Sequence, residues 1–103
     1  MRIQQVTLIA AMLITGLWAQ QAIAADPNKG REIYMQHCQS CHGSDGVGQL
    51  PGMPNFARGE SLFKPDIELV RVIRAGRGMM PAYQGMFTDE QLLDVVAYLR
   101  TLR

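Results

Sequence analysis

The sequence predicts an all-α domain in which short helices and long loops wrap a ligand. Three observations lead there. Apolar residues recur at helical spacing in separate segments, and none alternates convincingly as a half-buried strand would. Those segments are bounded by helix-start and helix-stop residues. After the first of them comes GSDGVGQLPGMPNFARG, from Gly43 to Gly59, too rich in glycine and proline for a long regular element. A loop of that length is uncommon in a small domain unless it encloses something.

The chain has 103 residues, one small domain's worth. Its start reads as an export signal. Arg2 precedes the apolar run VTLIAAMLITGLWA, residues 6 to 19, and Ala22-Ile23-Ala24 supplies a small-x-small cleavage site. This predicts a leader over 1–24, cut after Ala24, and a domain over 25–103 exported to the periplasm. The apolar run falls short of the roughly 20 residues a spanning helix needs. An uncleaved membrane anchor is the competing reading.

Of the ten lysines and arginines only Arg2 lies in the leader, so the rest balance the nine acids. That neutrality argues against nucleic acid as a partner. A domain this small rarely builds enough core alone. One cysteine pair is thin for a disulfide scaffold, and a cofactor serving as core fits better.

The elements follow in order. Asp26 and Pro27 open a helix, as cap and first-turn residue, that runs to about His37. Gly30 within it costs about 1 kcal/mol against alanine and invites a packing explanation. After the long loop, Pro65 and Asp66 open a second helix that Gly76 stops. Ile67, Val70 and Ile73 share one face of it, with Leu69 beside them. A second loop then runs from about Arg74 to Phe87. Thr88 and Gln91 form a capping box for the last helix. Its apolar stripe is Leu92, Val95, Val96, Leu99 and Leu102. Asp89 and Glu90 sit at its positive end, Arg100 and Arg103 at its negative end.

The chemistry concentrates in HCQSCHG, residues 37 to 43, which holds both cysteines and both histidines of the chain. A thioredoxin-like redox pair would need alternating strands and helices around it. A zinc site would need four ligands, and His37 alone remains to complete one. Covalent haem attachment needs what is present: Cys38 and Cys41 form thioethers to the two vinyl groups, and His42 is carried under the iron. An export signal agrees with this, because haem c is attached outside the cytoplasm. His37 is too close to reach the other haem face and reads as a surface or half-buried imidazole.

The sixth iron position takes methionine, histidine or nothing. Methionine is more often core filler than ligand, so Met35 and Met53 read as filler or crevice lining. Met79, Met80 and Met86 lie in a loop far enough along to wrap the porphyrin. Met80 is favoured, with Met79 second. Pro81 stiffens the loop after Met80, and Gly76 and Gly78 permit close backbone approach.

With CQSCHG, DGVG at 45–48, MPNF at 53–56, GRGMMPAY at 76–83 and DEQLLDVVAYLRTL at 89–102, the chain resembles the class I c-type cytochromes of the small bacterial monohaem type. The resemblance implies a cytochrome c fold, with three main helices and loops round one covalently bound haem c. It implies that the first and last helices cross, with Gly30 meeting Tyr98. It implies that the Pro54 carbonyl accepts a hydrogen bond from His42, with Pro51 the alternative. It also makes Met80 the distal ligand, while the doubled Met79-Met80 leaves open which sulfur binds.

The function expected is one-electron transfer between redox partner proteins, a reductase, oxidase or dehydrogenase, by a monomer rather than catalysis. Leu50, Met53, Phe56, Leu69, Ile73 and Phe87 would wrap the haem. Arg58 and Arg77 are the better candidates for its propionates, and Arg71 and Arg74 read as a solvated face. The alternative is a haem peroxidase, a gas sensor or a cytochrome subunit of a larger oxidoreductase, with a displaceable sixth ligand.

Overall fold

The computed structural model describes residues 24–103. The predicted leader lies outside the described residues except for Ala24. The described chain is helical and carries no strand, only an isolated bridge between Arg77 and Met80.

Helix α1 spans Pro27–His37, and the Asp26 side chain accepts from the Asn28 N–H at 2.9 Å. After Cys38 the chain makes one further helical turn, α2, Gln39–His42, which ends at Gly43. A single turn has no apolar period to read, so this element was not expected from sequence. A 3₁₀ turn, Phe56–Arg58, interrupts the long loop, capped by the Asn55 side chain. Helix α3 covers Asp66–Ala75 and ends at Gly76. Helix α4 covers Asp89–Thr101, and the predicted capping box between Thr88 and Gln91 is formed in both directions.

Helices α1 and α4 make the main packing contact, and α3 packs against α4. Gly30 is buried at the first crossing. The atoms nearest a Cβ built there belong to the backbone of Asp94 and Val95. Gly30 therefore lets two backbones approach, while Tyr98, its expected neighbour, packs its ring on Tyr34 with centroids 5.2 Å apart. The Asp26 N–H donates to Asp94 Oδ1 at 2.7 Å, tying the start of α1 to α4.

Tyr34, Val70, Leu92 and Val96 are almost wholly excluded from water, with Phe56, Leu62, Leu69, Ile73, Val95, Tyr98 and Leu99 around them. A fully buried valine or leucine side chain contributes about 1.5–3 kcal/mol, so this cluster carries the fold. Ile67 departs from expectation: it shares the helical period of Val70 and Ile73 but is 54% exposed. Arg100 also does more than complement the helix end. It donates to the Leu62 carbonyl at 2.6 Å and the Lys64 carbonyl at 3.0 Å, and pairs with Asp66. These bonds hold the loop before α3 against α4.

Candidate functional site

A cavity of about 850 Å³ opens between the helices and the two long loops, within the roughly 300–1,000 Å³ typical of cofactor sites. Cys38, His42, Pro54, Met79 and Met80 all line it, with Leu50, Met53, Phe56, Leu69 and Ile73 among its apolar walls. Phe87 does not. It lies with Tyr83 and Cys38 in a separate small pocket behind the main wall.

Local structure explains how the motif residues reach the wall. The Cys38 N–H still bonds to the Tyr34 carbonyl, and the His42 N–H bonds to the Cys38 carbonyl at 3.0 Å. The motif is thus wound into a turn directly continuous with α1. Cys38 is half-buried and Cys41 exposed. Burial, with a smaller contribution from the neighbouring Cys41, pushes the Cys38 thiol up to about 11. The thiol is accordingly held protonated at neutral pH.

The His42 ring stacks on Phe56, centroids 5.1 Å apart and planes 26° from parallel. Burial lowers its pKa, favouring the neutral imidazole that can donate a lone pair. Its Nδ1 is buried without a hydrogen-bond partner. The expected bond to the Pro54 carbonyl is therefore not made, although both residues line the same cavity. The ring lies flat on Phe56 instead. A buried unpartnered ring nitrogen beside a large cavity is unusual in a finished core. It fits a site built for a haem, as do the Cys38 thiol and the Met79 and Met80 thioethers in the cavity lining; Cys41, one turn on, is exposed and does not line the cavity.

The methionine loop is shaped by a tight turn. Arg77 and Met80 exchange backbone hydrogen bonds, at 3.1 Å and 3.0 Å. Gly76 has a φ of 72°, and a Cβ there would come 2.7 Å from the Met80 carbonyl. The turn therefore lies directly on Gly76. It leaves Met79 90% exposed at its tip and folds Met80 back against the core. Of the four arginines considered, Arg77 lines the cavity and Arg74 pairs with Asp89 at 3.2 Å. Arg58 and Arg71 are exposed and do not line it, whereas Lys64, which sequence reading passed over, does.

Comparison with known proteins decides the family. The profile of the family described as "Cytochrome C oxidase, cbb3-type, subunit III" matches residues 25–99. The chain belongs to the c-type cytochromes. This cytochrome is 30% identical over 102 residues to cytochrome c6 of Thermosynechococcus vestitus, covering 95% of this chain and 88% of that protein. It is 34% identical over 80 residues to the Cbb3-type cytochrome c oxidase subunit FixP of Bradyrhizobium diazoefficiens, covering 75% of this chain but 28% of that longer protein. Among solved structures it is similar to the KustC0563 c-type cytochrome, at 27% identity and a TM-score of 0.63, over 72% of this chain and 96% of that one. The likeness to cytochrome c6 from the diatom Phaeodactylum tricornutum, at 21% identity and a TM-score of 0.61 over 75% and 93% of the two chains, supports the fold. The all-α cytochrome c fold expected from the sequence is the one observed.

Proposed function

We propose that this cytochrome is a one-electron carrier holding a single haem c, attached through Cys38 and Cys41, with His42 and Met80 as its axial ligands. The supporting observation is that Cys38, His42 and Met80 all line one largely apolar cavity. Bound there, a haem supplies one iron that takes up and returns a single electron. The protein's residues supply the rest. His42 is kept neutral by burial. Met80 offers a thioether, which favours ferrous iron and raises the potential. Met53, Phe56, Leu69 and Ile73 give the cavity an apolar lining that would shield a bound haem from water. Arg77 and Lys64 bring positive charge to its wall, suited to the propionates.

Leu50 and Met79 are exposed and also line the cavity, giving its mouth an apolar rim. Weak redox encounters use small interfaces of this kind. The domain would be residues 25–103, working as a monomer in the periplasm after loss of the leader 1–24. The similarity to FixP favours one second reading, in which the domain serves within a larger oxidase. Copurification with an oxidase through high-salt washing distinguishes that reading from a free carrier.

The optical spectrum of the holoprotein tests the carrier reading. The oxidised form is expected to show the weak red charge-transfer band of methionine sulfur on ferric iron. The reduced form is expected to bind carbon monoxide slowly. A high-spin spectrum with rapid carbon monoxide binding would overturn it in favour of an open-site enzyme or sensor.

A further inference from the structure

The loop between α3 and α4 bears Met80, yet it contains no regular element to hold it in place. Two backbone bonds fold it along the end of α3: the Tyr83 N–H to the Ile73 carbonyl and the Gln84 N–H to the Arg74 carbonyl, both at 3.2 Å. Neither reaches α1, which leads into the attachment motif.

The Tyr83 side chain makes that link. Its hydroxyl donates to the His37 carbonyl at 3.0 Å, across 46 residues of sequence. His37 is the last residue of α1 and directly precedes Cys38. Its carbonyl is among the last four of the helix, which have no partner within their own helix. The rings reinforce the contact. His37 stands edge-on to Tyr83, centroids 6.3 Å apart, and edge-on to Phe87 at 5.1 Å. Tyr83 and Phe87 lie 6.0 Å apart. Burial raises the Tyr83 pKa, so the hydroxyl remains a donor well into alkaline solution.

We propose that Tyr83 is a positioning residue for the distal ligand: its hydroxyl, bonded to the His37 carbonyl, fixes the Met80 loop against the helix that carries the attachment motif. The inference rests on the reading of Met80 as axial ligand. Without the bond the loop swings outward more often, and the sixth position opens to external ligands. An exposed neutral hydrogen bond shifts such an opening equilibrium by about fivefold.

The test is imidazole binding to the oxidised holoprotein, followed by loss of the red charge-transfer band. Tyr83→Phe keeps the ring and removes the donor. It is expected to bind imidazole about fivefold more tightly than the wild type, with little change in the urea midpoint for loss of helix. A merely structural role would lower that midpoint and leave imidazole affinity unchanged. Wild-type affinity in Tyr83→Phe overturns the proposal. His37→Ala keeps the backbone acceptor and removes only the ring contacts, so its gain in imidazole affinity is expected to be smaller than that of Tyr83→Phe. A gain there equal to that in Tyr83→Phe would assign the effect to ring packing and overturn the role of the hydroxyl. Met80→Ala separates the two levels. If the red band survives it, the ligand reading fails and takes this inference with it. If the band is lost there but Tyr83→Phe behaves as wild type, the inference alone fails.

Discussion

Gly30 lies so close to Asp94 that a Cβ at position 30 would stand 1.9 Å from the Asp94 carbonyl oxygen. The obstructing atoms are backbone, from Asp94 and Val95, so no side-chain rotation relieves the contact. Helices α1 and α4 would have to separate along their whole crossing, disturbing the buried Tyr34 and Val95 beside it. Gly30→Ala is therefore expected to destabilise the holoprotein by about 3 kcal/mol or more, although alanine is the better helix former. Urea unfolding followed by far-UV circular dichroism measures this. An unchanged midpoint would mean that the crossing is looser than the structure has it.

The tight turn at Arg77 and Met80 separates the two adjacent methionines by burial, one 90% exposed at the tip and the other packed toward the core. The expected outcome is that Met80→Ala abolishes the red charge-transfer band of the oxidised protein and Met79→Ala retains it. The opposite pattern moves the ligand to Met79. Loss of the band in both variants would mean that the turn itself, rather than one sulfur, determines ligation.

These two regions show what the sequence could and could not convey. Helix ends were legible because their signals are local: Asp26, Thr88 with Gln91, and Gly76 each act within a turn of themselves. The haem motif was legible because its residues are contiguous. Partners distant along the chain were not. Gly30 announces a close packing but not that the nearest atoms across the crossing are the backbone of Asp94 and Val95. Tyr83 was visible as an aromatic after Met80-Pro81-Ala82, yet nothing in sequence gave its hydroxyl the His37 carbonyl 46 residues away. Ile67 shows the limit of periodicity, which indicates a helix face but not how far along the helix that face remains covered.

Arg100 joins α4 to the loop that supplies Ser61 and Lys64 to the cavity wall. Its guanidinium satisfies the carbonyls of Leu62 and Lys64, both in part-buried surroundings. Arg100→Leu keeps some apolar bulk but leaves those carbonyls without their donor. The expected cost is about 1–3 kcal/mol in urea unfolding, together with faster hydrogen exchange at the Leu62 N–H, which bonds to the Gly59 carbonyl. Asp66→Asn, which removes the exposed ion pair and one negative charge from the first turn of α3 but leaves both carbonyls their donor, is expected to cost less than about 1 kcal/mol. Equal losses in the two variants would place the stabilisation in the ion pair instead.

Tyr34 is expected to contribute to the response to alkali. Its hydroxyl donates to the Gly43 carbonyl at 2.6 Å, and the side chain is almost wholly buried. Burial, the largest cause, raises its pKa well above the ordinary 10.0, with smaller contributions from charge on Cys38, Tyr98 and Asp45. The thiol part of that effect disappears once Cys38 is a thioether, but the burial part remains. A raised folded-state pKa means that the folded protein keeps this proton when the unfolded chain has lost it. The stabilisation is thus complete below pH 10.0 and is lost as pH rises beyond it. Tyr34→Phe leaves the Gly43 carbonyl without a donor and is expected to cost about 1–3 kcal/mol near neutrality. Phenylalanine has no proton to lose, so above the unfolded tyrosine pKa the gap between the proteins is expected to narrow by up to about 1.4 kcal/mol per pH unit. Urea unfolding of both proteins at about pH 8 and about pH 11 measures the gap. A difference that stays constant between those conditions would mean that the unfolded chain also protects this hydroxyl, and would remove Tyr34 from the alkaline transition.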